Sequence, residues 1–267
     1  AGEVWYNTAE EKLYFTYDVN SWTEVAATNT THNFSGYAGG VGQGIVWGGA
    51  NPNTEDKSEV WDGNTWTEVA DLNTARTYSP GGGSSNSAIA AGGNNPGVIS
   101  VTEIWNGTSW TEVNDGALGY GASFAGTVNA AVQTGGRNGS GVVQDDTKEW
   151  NGTNWSAGGD MITARSDQGA MLGSQNAAKH MGGTGASGPL YVSTDVEDYN
   201  GTSFSTAASL SAGTKYTSGA GTQNAGIMTG GKSSNSNTSA ETYEWNGISF
   251  HQTANLGTGR KTNDMAD

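Results

Sequence analysis

Counting ten residues beyond each of six regularly spaced aromatic residues lands on His32, Arg76, Tyr120, Arg165, Thr214 and Arg260. Arg76, Arg165 and Arg260 fall in alternate copies of the spacing. A guanidinium is planar, permanently charged and forked, so it binds a carboxylate or sulfate bidentately. Three of them directed at one axis would suit an anionic ligand. The same positions have a plainer reading, in which each arginine belongs to the repeat and bonds carbonyls of a neighbouring unit.

The aromatics that set this count come from one hairpin, clearest in Ile104-Trp105-Asn106-Gly107-Thr108-Ser109-Trp110-Thr111-Glu112-Val113. Its pairs are Tyr17 and Trp22, Trp61 and Trp66, Trp105 and Trp110, Trp150 and Trp155, Tyr199 and Phe204, and Trp245 and Phe250. Asn-Gly between alternating apolar residues favours a type I′ turn, whose twist matches the flanking strands. Asn106-Gly107, Asn151-Gly152, Asn200-Gly201 and Asn246-Gly247 supply it, Asp62-Gly63 substitutes, and Val19-Asn20 is degenerate. A second landmark, Gly48-Gly49, Gly92-Gly93, Gly135-Gly136, Gly182-Gly183 and Gly230-Gly231, ends a small apolar run in each unit.

Repeats of this length belong to blades or solenoid units, each of which buries its faces only against a neighbour. No helical period of apolar residues interrupts the pattern. The expected fold is therefore all-β: a single-domain, six-bladed β-propeller over residues 1–267. Its blades would span 1–25 plus 260–267, 33–69, 77–113, 120–157, 166–207 and 215–253. The first unit lacks a leading strand, and the last residues line up with one, so the C-terminal strand is expected to join the N-terminal blade and close the ring, removing open edges.

Composition sets limits on function. Leu, Ile, Val and Phe total 35 of 267 residues, low enough to suggest disorder in an acidic chain, but ten Trp and ten Tyr supply the missing apolar area. A formal net charge of −15 argues against nucleic acid and anionic membrane surfaces as partners. Absence of cysteine excludes disulfides, thiolate metal sites and cysteine nucleophiles. No apolar run is long enough for membrane insertion, and the opening residues do not read as a secretory signal. His32, His180 and His251 are scattered, Asp145-Asp146 and Glu55-Asp56 lack calcium-loop spacing, and no metal or cofactor is expected.

The Gly-Gly pair, an aromatic further on, then Trp, then a residue such as Arg76, resembles the kelch repeat over essentially the whole chain. The short Trp-Asn-Gly-Thr-Ser-Trp hairpin, Asn73-Thr74-Ala75-Arg76 and the opening Gly2-Glu3-Val4-Trp5-Tyr6-Asn7-Thr8 resemble kelch-like repeats and tail-fibre segments encoded by bacteriophages, especially marine ones. That resemblance implies a non-enzymatic binding or structural module of a virion, in a virion or extracellular location. Its partner would be a host surface glycan or another virion protein.

Candidate ligand-binding residues are His32, Arg76, Tyr120, Arg165 and Arg260, together with Trp47 and Tyr191. Trp47 breaks the repeat, since its counterparts are Ala91, Thr134, Met181 and Thr229, and suits either ligand stacking or an enlarged local core. Tyr191 lies in one of the variable loops after Gly-Gly, where recognition usually sits on a rigid scaffold. No catalytic residue is assigned. The alternative is a sialidase-like or other hydrolase of an anionic glycan, using the arginines with two axial carboxylates, for which Asp167 and Asp264 are the candidates.

Overall fold

The structure, a computed structural model, describes residues 4–7, 12–15, 22, 24–40, 42–185, 192–233, 238–259 and 264–265. Five four-stranded antiparallel sheets succeed one another in it, each with its strands in chain order. Blade 1 consists of Gly36–Gly40, Gln43–Trp47, Ser58–Trp61 and Trp66–Glu68. Blade 2 consists of Gly81–Ser84, Ser87–Asn94, Val98–Trp105 and Trp110–Glu112. Blade 3 consists of Ser123–Thr127, Ala130–Thr134, Thr147–Trp150 and Trp155–Ala157. Blade 4 consists of Ala170–Ser174, Ala177–Met181, Val196–Tyr199 and Phe204–Thr206. Blade 5 consists of Ser218–Thr222, Ala225–Thr229, Thr242–Trp245 and Phe250–Gln252.

The sequence reading counts six blades, and the described residues give five. The remaining one, placed at 1–25 plus 260–267, falls largely outside those residues. What is described there is a hairpin of Val4–Asn7 with Lys12–Phe15. The two-residue strand Asp264–Met265 pairs with His32–Asn33, the lead-in to blade 1, instead of with that hairpin. Two paired residues make a clasp and fall short of a blade strand.

The outer hairpin forms where the sequence places it, but the expected type I′ turn is replaced by a four-residue loop: Trp105 and Trp110 pair, the Asn106 amide donates to Ser109 O at 3.2 Å, and of the Asn-Gly pair only Gly107 takes positive φ. Trp61 faces Trp66, Trp105 faces Trp110 and Trp150 faces Trp155 across the strands, with tilted ring centroids 5.4–5.6 Å apart. At the turn, Asn106 Oδ1 accepts from the Thr108 and Ser109 amides at 2.9 and 3.0 Å, and Gly107 takes φ 93°. Asn151, Asn200 and Asn246 repeat this bonding, and Asp62 does so as a carboxylate. These Asn residues therefore act as turn builders.

The two ring positions have different tasks. Trp105, Trp150 and Trp245 donate to Ser85, Val128 and Gln223 carbonyls at 2.8–3.0 Å, tying each hairpin to its own blade's inner turn. Trp110 and Trp155 donate instead to the Ser58 and Thr102 hydroxyls of the preceding blade, at 3.0 and 2.9 Å. The apolar core is correspondingly a series of interblade layers, as in Trp47, Trp105 and Trp110 between blades 1 and 2, or Val132, Met171 and Tyr199 between blades 3 and 4. Fully burying one indole contributes up to roughly 4–6 kcal/mol on area grounds, which explains how so few aliphatic residues suffice.

The innermost strands pack in chain order from blade 1 to blade 5. Each turns back at a glycine with positive φ, namely Gly39, Gly83, Gly126, Gly173 and Gly221. A Cβ at any of them would press into the backbone of the returning strand. Glycine is therefore required at that point of each of the five described blades.

Candidate ligand-binding mouth of the central cavity

One residue per blade turns the chain into the innermost strand through the left-handed backbone region: Phe34 (φ 60°), Tyr78 (51°), Gly121 (72°), Asp167 (60°) and Tyr216 (56°). Neighbouring turns are laced together by main-chain bonds. Tyr78 N donates to Phe34 O at 2.7 Å, Gln168 N to Gly121 O at 3.0 Å, and Tyr216 N to Asp167 O at 3.0 Å. Among the described residues, the non-glycine residues with positive φ are Phe34, Tyr78, Asp167, Gln168 and Tyr216, all within this ring. Holding an ordinary side chain in that region costs roughly 1–2 kcal/mol per residue. Glycine performs the same turn in blade 3 at no such cost, so the other four positions carry side chains that the backbone path does not need.

Those side chains meet around the axis. The Phe34 and Tyr78 rings lie 4.4 Å apart and Tyr78 and Tyr120 5.7 Å apart. Asp167 accepts from Thr184 Oγ1 at 2.8 Å, from Arg137 Nε and Nη2 at 3.3 and 3.4 Å, and from Lys215 Nζ at 3.4 Å. The Lys215 ammonium stands 5.2 Å from the Tyr216 ring centroid. Burial would raise the Asp167 carboxyl, but Thr184, Arg137 and Lys215 outweigh it and hold the group below its ordinary value, so it is ionised at neutral pH. Burial, followed by the charge of Asp167, pushes the Tyr78 hydroxyl up to about 12, and both also raise Tyr216. The tyrosines are therefore neutral donors, and Phe34, Tyr78, Tyr120, Tyr216, Arg137 and Lys215 are all partly exposed.

One residue further along the chain, Ser35, Ser79, Gln168 and Thr217 line a cavity of about 300 Å³ walled by the innermost strands of all five blades. Its wall is mostly Gly, Ala and Ser, which leaves backbone and hydroxyl groups near the surface. Tyr37 lines it, and burial of its hydroxyl raises that pKa. Partly exposed rings, neutral hydroxyl donors and a charged cluster at the rim of a polar cavity can bind a ligand that has both an apolar ring face and polar substituents.

The residues singled out from the sequence lie in several places. Arg76 and Arg165 are fully buried. Arg76 Nη2 pairs with Glu103 and Nη1 donates to the Gly92 and Val101 carbonyls. Arg165 Nη2 pairs with Glu197 at 2.8 Å and Nη1 donates to the Gly182 and Asp195 carbonyls at 3.2 and 2.7 Å. His32 takes the same place in blade 1, with Nδ1 2.8 Å from Gly48 O and Nε2 3.2 Å from Glu59. Each glutamate also caps the lead-in chain, as Glu103 does for the Asn73 and Thr74 amides. These three positions form a latch within their own blades, sealed from solvent.

Tyr120, by contrast, reaches the mouth. The blade 3 connection is one residue shorter, so Tyr120 bridges Arg137 as Thr77 bridges Asn94, and Gly119 fills the position of Arg76. Thr214 contributes its carbonyl to the Gly183 amide at 2.8 Å. Trp47 is fully buried, 5.3 Å from Trp110 in an edge contact, and its ring lies against Gly36 and Gly81, where any Cβ would collide with it. That is the enlarged local core. Arg260 and Tyr191 lie outside the described residues, as does much of the loop between Gly185 and Val192. Asp167 does sit at the axis. Sequence reasoning passed over Phe34, Tyr78, Tyr216, Arg137 and Lys215, although counting twelve residues beyond the aromatics finds the first three.

The blades and their shared axis define the class: the chain is a β-propeller of four-stranded antiparallel blades. No protein-family model matches it, and none of the curated proteins does. The solved structure of YjhT does, at a TM-score of 0.74 with 13% sequence identity, over 89% of this chain and 88% of that one. Likeness at that identity extends to the fold.

Proposed function

We propose that the chain is a non-enzymatic binding module, a closed six-bladed kelch-like propeller carried on a phage virion, which recognises a host glycan or a partner protein through the mouth of its axis. The observation that carries this reading is that Phe34, Tyr78 and Tyr216 are held around Asp167 in left-handed backbone, where glycine would be cheaper. Strain held at an open, partly exposed cluster is characteristic of binding sites. Closure by an N-terminal sixth blade is supported by two bonds that continue the interblade pattern on either side of it. Trp66 Nε1 donates to Ala26 O at 3.1 Å, and Trp22 Nε1 donates to Ala254 O at 2.9 Å. Placement on a phage virion rests on the resemblance of the repeat.

Binding is favoured over hydrolysis because Arg76 and Arg165 are engaged by Glu103 and Glu197, and Asp167 is engaged by two cations. The test is a host-glycan array probed with the protein and with its Tyr78→Gly variant. That change removes the ring and relieves the backbone, so the fold should keep its thermal midpoint within a few degrees while array binding is lost. Equal binding by both proteins would eliminate the mouth as the site.

A further inference from the structure

The chain has 11 Lys and Arg against 26 Asp and Glu, and the placement of the cations is uneven. Arg76 and Arg165 are buried in their latches, Lys57 pairs with Glu68 and Asp71, and Lys179 pairs with Asp198 beneath the Trp245 ring. Arg137 and Lys215 instead converge on the Asp167 carboxylate at the mouth. Lys232 is paired directly opposite Lys215 in the same short ladder, which puts both side chains on one face. Arg137 and Lys215 set two cations against the one Asp167 carboxylate, on a chain whose net charge is −15. A localised positive mouth on an acidic surface attracts and orients anions.

From this we infer that the mouth selects a carboxylate-bearing sugar, such as a uronic acid residue of an acidic polysaccharide, read through its charge by Arg137 and Lys215 and through its ring face by Tyr78, Tyr120 and Tyr216. The inference rests on the mouth being the binding site. Asp167 already occupies the guanidinium fork with both oxygens, at 3.3 and 3.4 Å, contacts long for charge-assisted bonds. It acts as a resident carboxylate that keeps the two cations in place and competes with the incoming one. A sugar fits better than an acidic peptide because the main-chain lacing fixes the tyrosines as rigid surfaces, which suit a pyranose ring.

The experiment is calorimetric titration of the whole protein with oligogalacturonate, with malto-oligosaccharide as the neutral sugar and poly-glutamate as the acidic peptide. Oligogalacturonate should bind, weaken as salt rises, and lose roughly tenfold or more in affinity in Arg137→Gln, the loss of one charge-assisted contact. Asp167→Asn should bind it about threefold tighter or better, since Asn tolerates the left-handed backbone and removes the competing charge. Near-UV circular dichroism checks that each variant folds, and Arg137→Lys, which keeps the charge but loses the fork, serves if Asp167→Asn does not. It should fall between wild type and Arg137→Gln. Malto-oligosaccharide binding as tightly as the acid, with loss in Tyr78→Gly, would overturn the charge inference and leave the mouth standing. Poly-glutamate binding equally would overturn the sugar. Weaker binding by Asp167→Asn would show that Asp167 holds the ligand itself, and binding of no probe would overturn both the inference and the mouth.

Discussion

Replacing Arg76 by alanine separates a latch from a ligand site. In the folded protein its guanidinium is fully buried against Glu103 and the Gly92 and Val101 carbonyls. Burial pushes Arg76 below the ordinary guanidinium value, and the attraction of Glu103 opposes that. Removing the arginine leaves a buried carboxylate with no counter-charge, a change that typically costs about 3–5 kcal/mol. Glu103 keeps bonds from the Asn73 and Thr74 amides and the Asn73 side chain, which favours the lower half of that range. For a chain of 267 residues, with an unfolding entropy of about 2.1 cal/mol/K per residue, 3–5 kcal/mol lowers the thermal midpoint by about 5–9 °C. Thermal unfolding followed by tryptophan fluorescence measures it, since the Trp105 and Trp110 rings are in the same blade. Arg76→His should recover part of the loss, because His32 makes the equivalent pair with Glu59. Adding Glu103→Gln to Arg76→Ala should also recover part, by discharging the stranded group. An unchanged midpoint in Arg76→Ala, combined with loss of array binding, would refute the latch and return Arg76 to the ligand site.

Two further outcomes follow from buried residues. His180 is enclosed beside Ser123 and Thr134, and burial, then the charge of Arg165, holds its pKa well below the ordinary 6.5. It stays neutral in the fold while the unfolded chain takes up a proton, so its contribution to stability is complete above pH 6.5 and is lost as pH falls below it. Each further unit of acidity costs about 1.4 kcal/mol until the folded form titrates, and denaturant melts at several pH values in wild type and His180→Gln should differ by that slope. Trp47→Ala should cost about 3–5 kcal/mol through the interblade cavity it opens, measured by denaturant unfolding, without altering glycan-array binding.

The repeat was open to reading because each of its parts is locally determined. The Asn side chain and the following Gly close the hairpin loop, five-residue spacing sets Trp105 against Trp110, and the Gly-Gly pairs follow the second strand in four of the five described blades, blade 2 running through its pair to Asn94. The order of strands within a described blade and the packing role of the paired aromatics follow from those local rules. The arginines show where this stops. Arg76, Arg165 and His32 occupy one repeat position, but whether that position faces the axis or its own blade depends on a glutamate about thirty residues later, Glu103, Glu197 or Glu59. Trp47, whose break in the repeat suited either ligand stacking or an enlarged local core, is core because its ring fills the space beside Gly36 and Gly81.

By itself, then, the sequence determined the all-β class, the repeated four-stranded blade and the absence of cysteine chemistry, because turn geometry, strand alternation and composition act over a few residues at a time. Only the tertiary structure decided which side chains meet at the axis. Phe34, Tyr78, Tyr120, Asp167 and Tyr216 come from five separate blades, and Arg137 and Lys215 join them from loops of blade 3 and the lead-in to blade 5. Their assembly depends on the angle at which whole blades pack, and no local spacing encodes that angle.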